Sequence, residues 1–348
     1  MVEPEIRSQH PAYNSTQLTA TMANPGRQTQ RGPRMTQATV TSNNQPHCTA
    51  DEKWLSSLGH LARDIKISHT VFALPFALLS SFLAASHMGD LPQIGEVALV
   101  IMCMVFARTI AMTTNRMADA TYDKLNPRTA NRAIPTGRLG QRFAWRTVVV
   151  CSVMFVAMSG GFWLLYANPW PLALSPLVLA SLYSYSFTKR FTWCCHLVLG
   201  GVLAISPLAA ALAIEPRYLT TIEPYLLAVM VACWVGGFDI IYALQDIEID
   251  RMTGTFSMPA NLGTSRAMWI SRILHAVSIV SLAWLTGNSH ILGTNFTIAV
   301  TIVAILLIIE HTLVWGGKRQ HIHIAFFTVN GIISLVLAGL GLIDILQP

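Results

Sequence analysis

The chain has 348 residues, a formal net charge of +6, and 11% charged against 53% hydrophobic residues. A soluble protein carries roughly twice that charged fraction, and a mean hydropathy of +0.48 with recurring long apolar runs points to a polytopic α-helical membrane protein. The positive charge does not mark a nucleic-acid binder, because the basic residues gather in particular loops instead of forming one patch.

Residues 1–52 are rich in Thr, Gln, Asn and Pro and hold no apolar run, so they read as a disordered polar tail. The tail has no apolar h-region of a signal peptide. Residues 53–348 read as one transmembrane domain. Trp54 to Ile67 has the pattern of an interfacial helix, with Leu55, Leu58 and Leu61 on one side and Arg63 and Lys66 on another. Apolar runs follow at about 68–87, 94–115, 143–167, 170–187, 196–214, 224–245, 266–286, 292–315 and 324–345. Each is near the ~20 residues that cross a bilayer, which predicts nine membrane helices.

The loops set an orientation. Lys53, Arg63 and Lys66 precede the first run. Lys124, Arg128, Arg132, Arg138 and Arg142 lie between the second and third, and Lys189 and Arg190 between the fourth and fifth. Arg251 follows the sixth, and Lys318 and Arg319 follow the eighth. The intervening loops hold Arg217 alone, outnumbered by Glu215 and Glu223. The positive-inside rule then puts the amino terminus and the basic loops of an integral membrane protein in the cytoplasm. The six cysteines show neither a disulfide framework nor metal-ligand spacing, and Cys103, Cys151 and Cys233 lie inside apolar runs as small hydrophobes.

Two acidic stripes stand out against this background. Asn115, Asp119 and Asp123 recur every four residues at the end of the second run, and so share one helical face. Asp239, Tyr242, Asp246 and Asp250 do the same at the end of the sixth run, while Glu248 falls off that face. A carboxylate at the end of a membrane helix is costly unless it faces protein, water or a metal. Carboxylates that suit Mg²⁺ thus sit beside arginines that suit an anion, a pairing that points to a metal-bound phosphate. Two such ions would neutralise a diphosphate leaving group. A membrane cavity would shield an allylic cation from water and accept an isoprenoid tail, and aromatic faces would stabilise the cation.

Asn115-x3-Asp119-x3-Asp123 and Asp239-x2-Tyr242-x3-Asp246-x3-Asp250 resemble the two signature motifs of the UbiA superfamily of intramembrane prenyltransferases. Tyr185-x3-Lys189-Arg190 is similar to that family's basic motif, and the resemblance runs from about Lys53 onward. It implies nine membrane helices around a central cavity open to the cytoplasmic side and the bilayer. It also implies Mg²⁺, a polyprenyl diphosphate donor, and an aromatic acid alkylated on a ring carbon. The NPRTANRAIPTGRL and GFDIIYALQDIEIDR segments look like a bacterial subgroup of the 4-hydroxybenzoate polyprenyltransferases, a step of ubiquinone biosynthesis. Some members of that subgroup prenylate a dihydroxynaphthoate in the futalosine route to menaquinone, so that acceptor stays open beside 4-hydroxybenzoate.

Carried over by residue, the resemblance has Asn115, Asp119 and Asp123 hold one magnesium and Asp246 and Asp250 the other. Asp239 and Tyr242 line the same pocket, and Arg128, Arg132, Lys189 and Arg190 grip the diphosphate. Arg63, Lys66 and His69 fall where relatives bind the acceptor, with His69-Thr70 in place of the family's common Lys-Pro. The bacterial subgroup implies a bacterial inner membrane, lipid is the expected surrounding, and no obligatory protein partner is called for. The rival from another class is a transporter, which would carry its charges near the bilayer midplane instead of at one face.

Overall fold

The computed structural model describes Gly59 and residues 73–315 and 322–347. The expected tail lies outside them, as do the expected interfacial helix apart from Gly59, and Arg63, Lys66 and His69. Among the described residues every regular element is helical. In chain order these are α1 (Leu74–Ser86), α2 (Ile94–Ala118), α3 (Ala120–Leu125), α4 (Gln141–Tyr166), α5 (Trp170–Ser184) and α6 (Cys195–Ile214). They continue with α7 (Glu223–Ala243), α8 (Ile247–Thr253), α9 (Met258–Leu262), α10 (Thr264–Asn288), α11 (Thr294–Leu313) and α12 (Asn330–Leu346). Short 3-10 turns cover Tyr185–Arg190 and Pro216–Thr220, and a single helical turn, Ile322–Ile324, runs into a π-turn, Ala325–Val329, that leads into α12.

Seven described helices are long and apolar enough to cross a membrane: α2, α4, α6, α7, α10, α11 and Phe326–Leu346. The runs at 68–87 and 170–187 give shorter helices of 13 and 15 residues. Proline explains both starts: Pro75 and Pro171 stand in the first turns of α1 and α5, where a missing N–H costs nothing. At its other end α5 tightens into the 3-10 turn that carries Lys189.

The packing partners define the shape. The pairs α1–α6, α6–α7, α7–α10, α10–α11, α11–α12 and α12–α1 close a ring, and α2, α4 and α5 pack together against its α6 side. In this ring α7 is the most deeply enclosed helix, with 72% of its membrane-length window buried against 11% for α2. Between Pro224 and Phe238 its sequence carries no charge, as a helix stretch without a water-facing side requires. Trp234, fully buried at its centre, meets Phe76 and Phe238 edge to face at centroid distances of 5.3 and 5.0 Å. Gly200 lets α6 lie directly on α7, because a Cβ there would collide with the Ala232 carbonyl.

The outer surface is apolar, with Val149, Val150, Val153, Leu164 and Leu165 of α4 exposed. In water that band would be an aggregation surface, whereas in hydrocarbon it costs nothing. Exposed tryptophans fall near opposite helix ends, Trp145 near the start of α4 and Trp163 near its end, the positions of interfacial anchors.

Candidate active site

The two acidic stripes end their helices in the same way. Asp119 stands between α2 and α3 with φ −88° and ψ 0°, and Asp246 stands before α8 with φ −107° and ψ 3°. Both are in the bridge region where a helix pauses without turning away. The ladder nonetheless carries on: the Asp123 N–H reaches the Asp119 carbonyl at 2.8 Å, and the Asp250 N–H reaches the Asp246 carbonyl at 2.8 Å. Each stripe therefore keeps one face across its break. Asn115, Asp119, Asp123, Asp239, Tyr242, Asp246 and Asp250 all line a single cavity of about 620 Å³, and exposed Glu248 does not.

Basic side chains meet these carboxylates one by one. Lys189 Nζ lies 2.8 Å from Asp119 Oδ2, and Arg132 Nη1 lies 2.8 Å from each oxygen of Asp123. Arg128 Nη2 lies 2.6 Å from Asp246 Oδ2, and its Nη1 donates to the Tyr242 hydroxyl at 2.6 Å. Asn126 adds a 2.8 Å bond to Asp246 Oδ1, so the loop after the first stripe is latched onto the second. Asp250 accepts instead from Ser257 at 2.7 Å and Thr255 at 3.0 Å.

Burial pushes the Asp119 carboxyl above its ordinary range, and the nearby Lys189 does not fully counter it. Burial also raises Asp250, against the hydroxyls of Ser257 and Thr255. For Arg128, burial works against the charge, but Asp246 and Tyr242 more than offset it and hold the guanidinium above its usual value. Asp119 Oδ1 is buried without a hydrogen-bond partner among the described residues. A buried, unpaired carboxylate oxygen on a site-lining aspartate is the feature a cation would satisfy.

Beyond the charged mouth the cavity changes character. Phe238, Tyr242 and Phe326 form an aromatic wall, with Phe326 5.2 Å from Phe238 and 4.2 Å from Tyr242 between centroids. The π-turn at Ala325–Val329 carries Phe326, and such bulges recur at functional sites. Asp239 is engaged by His196 of α6, and the far wall is apolar, with Phe162, Pro171 and Leu212. Arg108 of α2 also lines the cavity, and its Nε and Nη2 are buried without hydrogen-bond partners among the described residues.

Arg108, His196 and Phe326 were missed by the motif reading. Arg108 was legible in principle, as a charge deep inside an otherwise apolar membrane run. His196 and Phe326 belong to no motif and reach the cavity only through packing. One predicted residue is placed elsewhere: Arg190 is not on the cavity wall. Its Nη2 donates to the Ala118 carbonyl at 2.6 Å, and its guanidinium lies over Phe187 and Tyr122. The end of α2 leaves unsatisfied carbonyls, and Arg190 is drawn to one of them. Arg138 is likewise turned to its own loop, bonding Thr136 and the Asn131 carbonyl.

Comparison with known proteins agrees with this architecture. The model of the UbiA prenyltransferase family matches residues 73–332. A protein of Chromohalobacter salexigens named 4-hydroxybenzoate octaprenyltransferase is 26% identical over 253 residues, covering 72% of this chain and 82% of that protein. A UbiA homologue from Aeropyrum pernix K1, solved in its apo form, superposes with a TM-score of 0.71 at 31% identity over 80% of this chain and 98% of its own. A UbiA homologue from Archaeoglobus fulgidus, solved bound to GPP and Mg²⁺, has a TM-score of 0.64 at 18% identity over 82% of this chain and 99% of its own, a likeness of fold.

Proposed function

Because the chain belongs to the UbiA prenyltransferase family, we propose that it moves a polyprenyl group from its diphosphate onto a ring carbon of an aromatic acid, 4-hydroxybenzoate first among them. Membership of a prenyltransferase family removes the transporter reading. One observation carries the proposal: both acidic stripes, their basic partners and an aromatic wall border one cavity whose depth, apart from Arg108 and His196, is mainly apolar. Charge at the mouth suits a diphosphate, and the apolar depth suits an isoprenoid.

Asp119 Oδ1, buried without a hydrogen-bond partner among the described residues, suits magnesium, which is commonly held by one or two carboxylates with the substrate's phosphates completing the shell. Asn115, Asp119 and Asp123 would hold one ion, Asp119 through its unpaired Oδ1, and Asp246 and Asp250 the other. Bound there, magnesium supplies charge neutralisation that makes the diphosphate a better leaving group.

The chain's own groups do the rest. Lys189, Arg128 and Arg132 pair with motif carboxylates and can exchange those partners for diphosphate oxygens. The faces of Phe238, Tyr242 and Phe326 shield the allylic cation and stabilise it. Arg108 offers an uncommitted guanidinium edge to the acceptor's carboxylate, which rationalises an acid as the acceptor. Nine membrane helices, a cytoplasmic mouth and residence in a bacterial inner membrane complete the reading, supported by the loop charges and the seven crossing-length helices.

Membranes containing the protein, given labelled polyprenyl diphosphate, Mg²⁺ and 4-hydroxybenzoate, should yield a prenylated acid. Product with a dihydroxynaphthoate alone would move the acceptor assignment to the menaquinone branch. Product with neither would overturn the reading.

A further inference from the structure

His196 and Asp239 form a pair that the motif chemistry leaves without a task. His196 stands in the first turn of α6, 4% exposed, with Nδ1 2.6 Å from Asp239 Oδ2. The Met258 backbone N–H approaches His196 Nε2 at 3.3 Å. A backbone amide can only donate, so Nε2 accepts and the ring's proton sits on Nδ1, donated to Asp239. The imidazole is thus held in one tautomer and spans from α9 to α7. Asp239 keeps 23% of its side chain exposed where it lines the cavity. It lies seven residues before Asp246, about 10 Å further in along α7. Arg108 lies eleven residues before Asp119, about 16 Å in along α2. A ring whose carboxylate meets Arg108 therefore brings its opposite edge back toward Asp239 and the mouth.

We propose that Asp239 receives the proton that the aromatic ring must lose, and that His196 is the positioning residue that aims it. This rests on the prenyl-transfer reading above. In that reaction the allylic C–O bond breaks and its electron pair leaves with the diphosphate. A ring carbon beside the hydroxyl then forms the C–C bond to the prenyl carbon, giving a cationic ring. The C–H bond at that carbon breaks, its pair restores aromaticity, and the proton passes to the Asp239 carboxylate. No oxidant or reductant is needed. By tying up Oδ2, His196 leaves the other carboxylate oxygen for the proton, and its own Nδ1–H remains as a donor to the neutral acid. Such a positioned base typically contributes about 10²–10⁴-fold.

The test uses the full-length chain with Mg²⁺, polyprenyl diphosphate and 4-hydroxybenzoate, either protiated or deuterated at the ring positions beside the hydroxyl. In the wild type, ring-proton loss should be fast and kcat should show an isotope effect near one. Asp239→Asn should lower kcat by about 10²-fold or more and reveal a primary isotope effect, because proton loss now limits turnover. His196→Leu should lower kcat less, by about tenfold, and reveal the same effect. His196→Asn keeps an N–H donor near the Nδ1 position and should restore most of the rate and hide the isotope effect again. A merely structural histidine would change kcat or melting temperature without an isotope effect, and that result overturns the proposal. So does an undiminished rate in Asp239→Asn, which would hand the proton to the departing diphosphate. If His196→Leu fails to fold, Asp239→Asn and His196→Asn still decide. Release of diphosphate by the wild type with no transfer to any aromatic acid would overturn the prenyl-transfer reading itself, and the proton assignment with it.

Discussion

Arg128 reaches from the loop behind the first acidic stripe to Asp246 on the second, with Nη2 2.6 Å from Oδ2 and its guanidinium 5.0 Å from the centre of the Tyr242 ring. One side chain thus joins the two halves of the site at the mouth of the cavity. The joint is about one-third exposed, so its value for stability is small, while its value for organising a diphosphate between two stripes is larger. Arg128→Ala should raise the donor's KM or lower kcat by about tenfold to a hundredfold and leave the acceptor's KM nearly unchanged. Arg128→Lys should recover only part, because an ammonium cannot serve Asp246 and Tyr242 as a fork. Steady-state kinetics with each substrate varied in turn would check this, and a defect confined to the acceptor would contradict it.

Activity should require a divalent cation, disappear in excess chelator and return with Mg²⁺. Asp119→Asn keeps the size of the side chain, removes its charge, and should cost about 10²-fold or more in kcat. A chelated enzyme with full activity would exclude the metal role.

The same substitution has a pH signature. Burial raises the Asp119 pKa in the folded chain, so the fold binds that proton more tightly than the unfolded chain does. This contribution favours the fold in acid and is lost as pH rises from the ordinary carboxylate value through the raised one. In chelator, the wild type should therefore lose more melting temperature than Asp119→Asn between mildly acid and neutral pH. Parallel melting curves for the two proteins would speak against the buried charge.

Arg108→Leu should raise the acceptor's KM by about tenfold to a hundredfold, the usual worth of a charge-assisted hydrogen bond of roughly 1.5–3 kcal/mol. Donor KM should hardly move. Titration of the acceptor against the variant would read this directly, and an unchanged acceptor KM would return the carboxylate to other basic residues.

Reporter fusions after Leu91, exposed in the connection between α1 and α2, and after Asn288, the exposed end of α10, should report the external side of the membrane if the basic loops are cytoplasmic. Cytoplasmic signals from both would invert the topology.

Class, family and the two acidic stripes were all legible in the sequence, because each rests on local order. A membrane run is readable from some twenty consecutive residues, and a stripe from a four-residue repeat. Even the breaks at Asp119 and Asp246 left the stripes intact, since the backbone ladder resumes within one residue of each. The mouth was harder. Spacing showed that basic residues were near, but not that Lys189 would choose Asp119, Arg132 Asp123 and Arg128 Asp246, nor that Arg190 would turn away to the Ala118 carbonyl.

The interior was decided by tertiary structure alone. Arg108, His196 and Phe326 stand 131, 43 and 87 residues from Asp239 in the chain, yet all four line one cavity. Sequence by itself determined which helices form and which faces carry charge, because those depend on neighbours within a turn or two. Which faces meet depends on how α6, α7 and α10 pack, on Gly200 admitting α7 against α6, and on a π-turn aiming Phe326. In a bilayer all apolar faces are equally content with lipid, so hydropathy does not choose the partners. Close packing and the need to satisfy buried polar groups do.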